Sequence, residues 1–328
     1  MSLIDAIPEN KVLVTGANGY LALWIIYELL EEGFSVRGTE GAFDEAVKGV
    51  AAILHVASPL SSGGSDPDLL IKPAVGGTVG VLNSALHYGT EVKRIVFTSS
   101  CAAIVEDSQE EVQNWDESNW GDVWAEKTKA LGENSPFMIK YRASKTLAER
   151  AAWKLYEDNK DNIGWDLVAL NPPFILGGSH MEAFKPENLT SSLSGLYFNS
   201  FDKVNAVKLA NGAFSYIHVK DASQLHVKAL NTPSAGGERI ILSAGSSTWG
   251  QTRDLMMRLY PELVESGVLP PLDIEGQDHA KETSKVVQVN FRNDKSKRIF
   301  GIHYRGLEEC IRDSVEYFKE RGFLEAKS

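Results

Sequence analysis

The chain has 328 residues, 43% hydrophobic and 23% charged, which suits a globular protein of two domains, or one large α/β domain with an added lobe, and excludes a disordered chain. Its formal charge of −11 opposes nucleic-acid phosphate and anionic membrane, so neither is expected as a partner. Cys101 and Cys310 form no Cys/His ligand spacing, so no metal site is expected; with no basic-then-apolar leader and no run near the ~20 apolar residues of a membrane helix, the expected location is cytoplasmic.

Along the chain, Lys11–Thr15 (KVLVT) is a β-branched run closed by Gly16 and predicts a buried strand. Leu21, Trp24, Ile25, Glu28 and Leu29 recur at spacings of three and four, which predicts a helix over 20–32 ended by Gly33. Residues 34–37 read as a strand and 43–48 as a short helix. Residues 50–57 (VAAILHVA) are apolar without a break, as in a parallel strand covered on both faces. A helix over 73–88, a strand at Arg94–Thr98 (RIVFT), a long helix over 141–157 and a strand over 165–170 (WDLVAL) follow. This alternation argues an α/β fold with a doubly wound parallel sheet. Past Asn171-Pro172-Pro173 the pattern loosens: residues 177–213 are rich in Gly, Ser, Asn and Pro and predict a substrate loop or lid. Residues 215–230 and 239–243 look regular again, and 307–321 form an amphipathic closing helix.

The first strand runs into Gly16-Ala17-Asn18-Gly19-Tyr20-Leu21-Ala22, a G-x-x-G-x-x-A spacing that opens a helix. Gly16 permits the tight turn, Gly19 lets backbone approach a pyrophosphate, and Ala22 allows close packing of helix on strand. The helix N-terminus then offers free N–H groups and a positive dipole end to an anion. An ordinary βα turn is the plain alternative, but a strand before and a helix after are the context that a dinucleotide loop requires. The expected division is a Rossmann-type dinucleotide-binding domain over 1–171, with 214–243 returning to it, and a smaller C-terminal substrate-binding lobe over 172–328.

Tyr141-Arg142-Ala143-Ser144-Lys145 places a phenol and an ammonium one helical turn apart on one face. Carbonyl reduction needs a proton donor for the developing alkoxide, and a nearby Lys⁺ favours the phenolate and brings the tyrosine pKa down. Among 10 tyrosines a chance YxxxK is an even bet, so its company matters. RIVFT ends in Ser99-Ser100 at the carboxyl edge, where open α/β sheets place ligands, and a serine there can hydrogen-bond a carbonyl oxygen. Capping is the plain alternative for both serines. Asn171-Pro172-Pro173 ends the next strand at the same edge. Trp120, Trp124, Phe137, Phe174, Tyr197 and Phe198 are candidates to wall an apolar substrate pocket. Cys101 reads as a small buried group and His55, His218 and His226 as packed histidines rather than ligands.

TGANGY, HVASP (55–59), IKPAVGGT (71–78), FTSS (97–100), YRASK (141–145), NPPFILG (171–177) and IHVKD (217–221) together resemble the extended short-chain dehydrogenase/reductases. More narrowly they are similar to the dihydroflavonol reductase and cinnamoyl-CoA reductase branch and its fungal aldehyde/ketone reductases, over almost the whole chain. The resemblance implies reduction of aldehydes and ketones (β-keto esters, dicarbonyls, aromatic or aliphatic aldehydes) with NADPH as hydride donor. It implies Tyr141 as general acid, Lys145 holding the nicotinamide ribose and lowering the Tyr141 pKa, and Ser100 orienting the carbonyl, with Ser99 as second choice. Gly16, Asn18, Gly19, Tyr20 and Leu21 would line the pyrophosphate, Ala57 and Ser58 the body of the cofactor, and Pro172 and Phe174 the nicotinamide. The family includes monomers and homodimers.

One departure is plain. Relatives continue after VRGT with an arginine-bearing turn, a helix and a strand; here Val36-Arg37-Gly38-Thr39 runs straight into Glu40-Gly41-Ala42-Phe43. Roughly 30 residues, about one βαβ unit, are absent, with the arginine that would meet the 2′-phosphate. Because losing a central strand would expose sheet edge and core, the expectation is a segment missing from the chain as read rather than from the fold. Two other functions compete. A sugar-nucleotide epimerase or dehydratase would need cations for a diphosphate, and 177–213 supplies only Lys185, Lys203 and Lys208. A non-catalytic dinucleotide-sensing regulator would have no use for the Tyr/Lys pair.

Overall fold

A computed structural model describes residues 3–5, 9–39, 43–59, 64–108, 110–189, 191–269 and 288–325. The first half builds β1 (Lys11–Thr15), α1 (Tyr20–Glu31), β2 (Ser35–Thr39), β3 (Ala52–His55), α2 (Asp68–Tyr88), β4 (Arg94–Thr98), β5 (Val112–Trp115), α3 (Asp122–Leu131), α4 (Phe137–Asn159) and β6 (Asp166–Asn171). The second adds β7 (Phe174–Leu176), α5 (Ser191–Phe201), α6 (Lys203–Leu209), β8 (Ala213–His218), α7 (Val219–Asn231), β9 (Arg239–Ile241), β10 (Gly245–Thr248), α8 (Trp249–Leu259), α9 (Pro261–Glu265), β11 (Gln288–Phe291), α10 (Asp294–Phe300) and α11 (Leu307–Glu320).

Six parallel strands form the central sheet in the order β2-β1-β3-β4-β6-β9. The inner strands β1, β3, β4 and β6 are mostly apolar because alternate residues serve opposite faces, both covered, whereas the edge strand β2 (SVRGT) is largely polar. Val12, Val14, Leu54, Val96 and Leu170 pack with α1 and α7, whereas Leu13, Ile53, Ile95, Phe97 and Leu167 pack with α2 and α4. A three-stranded sheet, β10-β8-β7, and the β11-β5 pair flank this layer. Within 214–243, α7 and β9 join the main layer while β8 belongs to the second sheet. The chain leaves β1 for β2 on one side and returns across it to β3 on the other. That reversal opens a crevice at the carboxyl ends of β1 and β3, the switch point where such sheets take ligands.

Four expectations need correction. Residues 43–48 form turns rather than a helix, with a single i→i−4 bond from Val47 to Phe43. The α2 helix begins at Asp68, not at Pro73, which sits inside it: the Asp66 side chain accepts from the Asp68 N–H and sets an earlier start. About half of the expected loop at 177–213 is helical, as α5 and α6; buried Leu193 and Leu196 hold a segment whose Ser and Gly content masked its periodicity. Finally, α2 does have the length and apolarity to cross a membrane, 21 residues with a window hydropathy of 1.3, but it packs against α4 and buries Leu70, Val81 and Leu82 in the core.

The absent segment also has a different meaning in three dimensions. β2 is the sheet edge, and a further βα unit would lie outside it. The segment would therefore extend the sheet at its edge rather than supply a central strand. Glu40-Gly41-Ala42 at the junction lie outside the described residues.

Candidate active site

At the first βα turn, Gly16 adopts φ +67, and a Cβ there would stand 2.9 Å from Ala57 Cα. Only glycine allows the turn to approach the end of β3 this closely. The Thr15 hydroxyl bonds His55 Nδ1 at 2.8 Å and accepts from the Ala57 N–H at 3.2 Å, fastening the two strand ends. Gly19 precedes α1 with no side-chain cap, and the first turn of α1 carries no acid. The free N–H groups there face the crevice beside Asn18, Tyr20 and Leu21. The Tyr20 phenol itself is buried and donates to the Gly177 carbonyl at 3.1 Å, so Tyr20 ties α1 to the segment after β7.

A cleft of about 1130 Å³ runs from this turn across the carboxyl edge of the sheet. The residues expected to bind cofactor or to act on the carbonyl line it: Gly16, Asn18, Gly19, Tyr20 and Leu21 of the glycine turn, Ala57 and Ser58 after β3, Ser100 after β4, Tyr141 and Lys145 on α4, and Pro172 and Phe174 around β7. Ser99 and Ser100 divide their work. The Ser99 hydroxyl is buried and donates to Glu149 at 2.5 Å, whereas Ser100 is half-buried and contacts the Tyr141 phenol. Ser100 also accepts from the Ala102 N–H at 3.1 Å, so it caps the short 3₁₀ turn at Cys101–Ala103 as well. Phe137, one turn before Tyr141, stacks on its ring at a centroid distance of 6.1 Å.

Burial pushes the Tyr141 phenol up, and the contact with Ser100 opposes it. This is the reverse of the expected lowering by Lys145. The reason is that the site shields the phenol from water while the Lys145 ammonium lies 3.5 Å from the Thr98 carbonyl. Burial also brings Lys145 down to about 8, with Glu149 opposing.

Glu149 is the functional group that sequence reading missed. It is fully buried on α4, one turn beyond Lys145, and carries four donors: Arg239 Nε at 2.5 Å, Ser99 Oγ at 2.5 Å, Asn171 Nδ2 at 2.9 Å and Trp153 Nε1 at 3.3 Å. One carboxylate thus clamps the ends of β4 and β6 and the start of β9 against the helix bearing Tyr141 and Lys145. The usable signal was the Tyr141, Lys145, Glu149 spacing of four, which puts all three on one face.

The aromatic candidates split. Trp124, Phe137 and Phe174 line the cleft. Trp120 instead lies between the Arg239 and Arg150 guanidinium groups, 3.5 and 3.6 Å from its ring centroid. Tyr197 and Phe198 pack against each other, and Tyr197 also meets Phe201, Phe318 and Phe323 in the lobe core. Cys101 is buried with its thiol pushed up by burial. His55 and His226 are buried, and burial holds their pKa values down at about 3 and about 4; His218 caps α7. No group of metal-ligating side chains occurs among the described residues.

The arrangement fits a nicotinamide dinucleotide: a glycine turn tight against β3, an uncapped helix N-terminus for the pyrophosphate, and a buried ammonium beside a phenol. Residues 36–238 match the family described as 3-beta hydroxysteroid dehydrogenase/isomerase. The chain belongs to this family. Aldehyde reductase 2 of Sporidiobolus salmonicolor is 31% identical across 96% of this chain and 98% of its own length. Ketoreductase azaE of Aspergillus niger is 30% identical across 95% and 98%. The solved structure of yeast methylglyoxal/isovaleraldehyde reductase Gre2 with NADPH superposes with a TM-score of 0.79 at 26% identity, covering 95% of this chain and 99% of that one.

This member of the family is an extended short-chain dehydrogenase/reductase of the dihydroflavonol and cinnamoyl-CoA reductase branch, and an oxidoreductase. The alignment with ketoreductase azaE runs over 350 positions, more than the 328 residues of this chain, so the relative carries insertions that this chain lacks.

Proposed function

We propose that this chain reduces apolar aldehydes and ketones, such as β-keto esters, dicarbonyls and aromatic or aliphatic aldehydes, to alcohols in the cytoplasm, with NADPH as the first cofactor to test. The observation that carries the reading is the convergence of Ser100, Tyr141 and Lys145 on one cleft with the uncapped glycine turn of α1. A bound reduced nicotinamide supplies a hydride to the carbonyl carbon. Ser100 donates a hydrogen bond to the carbonyl oxygen, and Tyr141 delivers the proton at its phenolic oxygen. Lys145, on the same face of α4 as Tyr141, would hold the ribose hydroxyls. Trp124, Phe137 and Phe174 give the substrate end an apolar wall that excludes water.

The test is loss of NADPH absorbance with a panel of β-keto ester, α-dicarbonyl, aromatic aldehyde and UDP-sugar. Consumption with the apolar carbonyls and not with the UDP-sugar is expected. Tyr141→Phe should lower the rate by about 10²–10⁴-fold, the worth of a general acid, while dinucleotide binding persists. An unchanged rate in that variant removes the assignment of Tyr141.

A further inference from the structure

The two ends of the cleft differ in charge. Among the described residues lining it, the only Lys or Arg side chains are Arg142 and Lys145, both on α4 beside the phenol. The part of the cleft wall formed by Phe43 after β2 and by Pro73, Ala74 and Gly77 on α2 carries no cation among the described residues. This is where the adenosine half of a dinucleotide would lie if its pyrophosphate sits on α1 and its nicotinamide beside Tyr141.

The cations nearest in sequence are engaged elsewhere. Arg37 is the only Lys or Arg between Lys11 and Lys48. Its guanidinium donates to the carbonyls of Ala46 and Lys48 at 2.8 and 2.9 Å, bracing the connection from β2 to β3. Lys48 is paired with Glu45 at 2.5 Å and lies over the Tyr88 ring. Lys72, one turn into α2, is paired with Asp68 at 2.8 Å. By sequence, residues 40–42 (EGA) and 60–63 (LSSG), which lie outside the described residues, add no cation to the segments after β2 and β3; Lys281 and Lys285 belong to 270–287, also outside the described residues.

We infer that this chain does not read the 2′-phosphate of its cofactor, and takes NADH and NADPH alike through the pyrophosphate and nicotinamide half that they share. This rests on the reductase reading above. A 2′-phosphate carries up to two negative charges at neutral pH, and selective recognition needs an arginine or lysine that pairs with it. If the adenosine lies beyond the glycine turn, that phosphate would fall near the carboxyl end of the edge strand β2, on a protein of charge −11. The remaining field opposes the more highly charged cofactor, and salt screens it. NADH therefore also serves as hydride donor.

The experiment is calorimetric titration of the full chain with NADH and with NADPH, at about 20 mM and about 300 mM salt, two conditions that differ strongly in screening. Dissociation constants within about threefold of each other are expected, with any preference for NADH shrinking at high salt. Arg37→Ala should shift both constants by the same factor. NADPH binding at least about tenfold tighter, or selective loss of NADPH binding in Arg37→Ala, overturns the inference and leaves the reductase reading standing. Failure of both cofactors to bind the folded chain overturns the reading on which it rests, and the inference with it.

Discussion

The Ser99 hydroxyl donates to the Glu149 carboxylate at 2.5 Å, with both side chains buried. This bond engages Ser99 in the fold, while Ser100, its neighbour in the chain, contacts the phenol. The two serines should therefore fail in different ways. Ser100→Ala should lower kcat by about 10²-fold, as loss of one oxyanion donor does, with a stability cost near ~1 kcal/mol for the lost cap. Ser99→Ala should leave kcat within about threefold of the parent and cost about 1–3 kcal/mol, because a buried carboxylate loses a donor. Steady-state kinetics and urea unfolding on both variants separate the roles; a larger kcat loss in Ser99→Ala reverses them.

Glu149 links the clamp to the Lys145 ammonium. Removing its charge while Arg239 stays buried should cost about 3–5 kcal/mol of stability in Glu149→Gln, read from the urea midpoint. A structural role alone predicts nothing more. Glu149 also opposes the effect of burial on Lys145, so the same variant should lower the Lys145 pKa further from about 8. Reductase activity of the parent should fall as pH rises past about 8, and in Glu149→Gln that limb should move to lower pH. A limb that stays in place rules out the electrostatic link. For stability the sign is opposite: above pH 8 the unfolded chain keeps the lysine proton that the native chain releases, so this group favours folding more as pH rises towards 10.5.

What was legible in the sequence was whatever depends on local pattern. KVLVT and RIVFT became strands at the expected bounds because a five-residue apolar β-branched run buried on both faces has no other good solution. Ser100, Tyr141 and Lys145 share a cleft with Gly16 and Gly19 because each stands at a strand end or on one helix face. The illegible parts are tertiary. Nothing local distinguishes Ser99 from Ser100 until Glu149, fifty residues on, engages one of them. Likewise Trp120 and Trp124 look equivalent until Arg239 and Arg150 enclose the first. The weight of the absent segment depends on whether β2 is central or an edge, which is a property of strand order, not of sequence.

Acid should unfold this protein through two buried histidines. His55 is held between Thr15 and Thr78 and His226 between Thr98 and the Ala222 carbonyl, all buried. Burial lowers them to about 3 and about 4 from 6.5, so between those values and 6.5 the unfolded chain binds more protons. Their contribution is present above pH 6.5 and is lost as pH falls through this window, at about 1.4 kcal/mol per pKa unit for each group. Urea midpoints from pH 7 to 4 should fall steeply, and His226→Gln should flatten the slope. An equal slope in that variant assigns the acid sensitivity to other groups.

Gly16 and Gly132 separate backbone strain from steric conflict. Both adopt positive φ, +67 and +55, so alanine at either position is strained. At Gly132 nothing lies within 4 Å of the added Cβ, and Gly132→Ala should cost only about 1–2 kcal/mol, with cofactor binding unaffected. At Gly16 the Cβ also meets the Ala57 backbone, Cα at 2.9 Å and N at 3.1 Å, and these atoms cannot rotate away. Gly16→Ala should push the first turn of α1 off the end of β3, where the pyrophosphate has to sit. Its stability cost should exceed that of Gly132→Ala by at least ~1 kcal/mol, and its dinucleotide affinity should fall by about tenfold or more. The comparison needs urea unfolding and a cofactor titration on each variant. Equal costs with intact binding in Gly16→Ala would show that the turn tolerates a side chain and that the glycine spacing does not define the cofactor site.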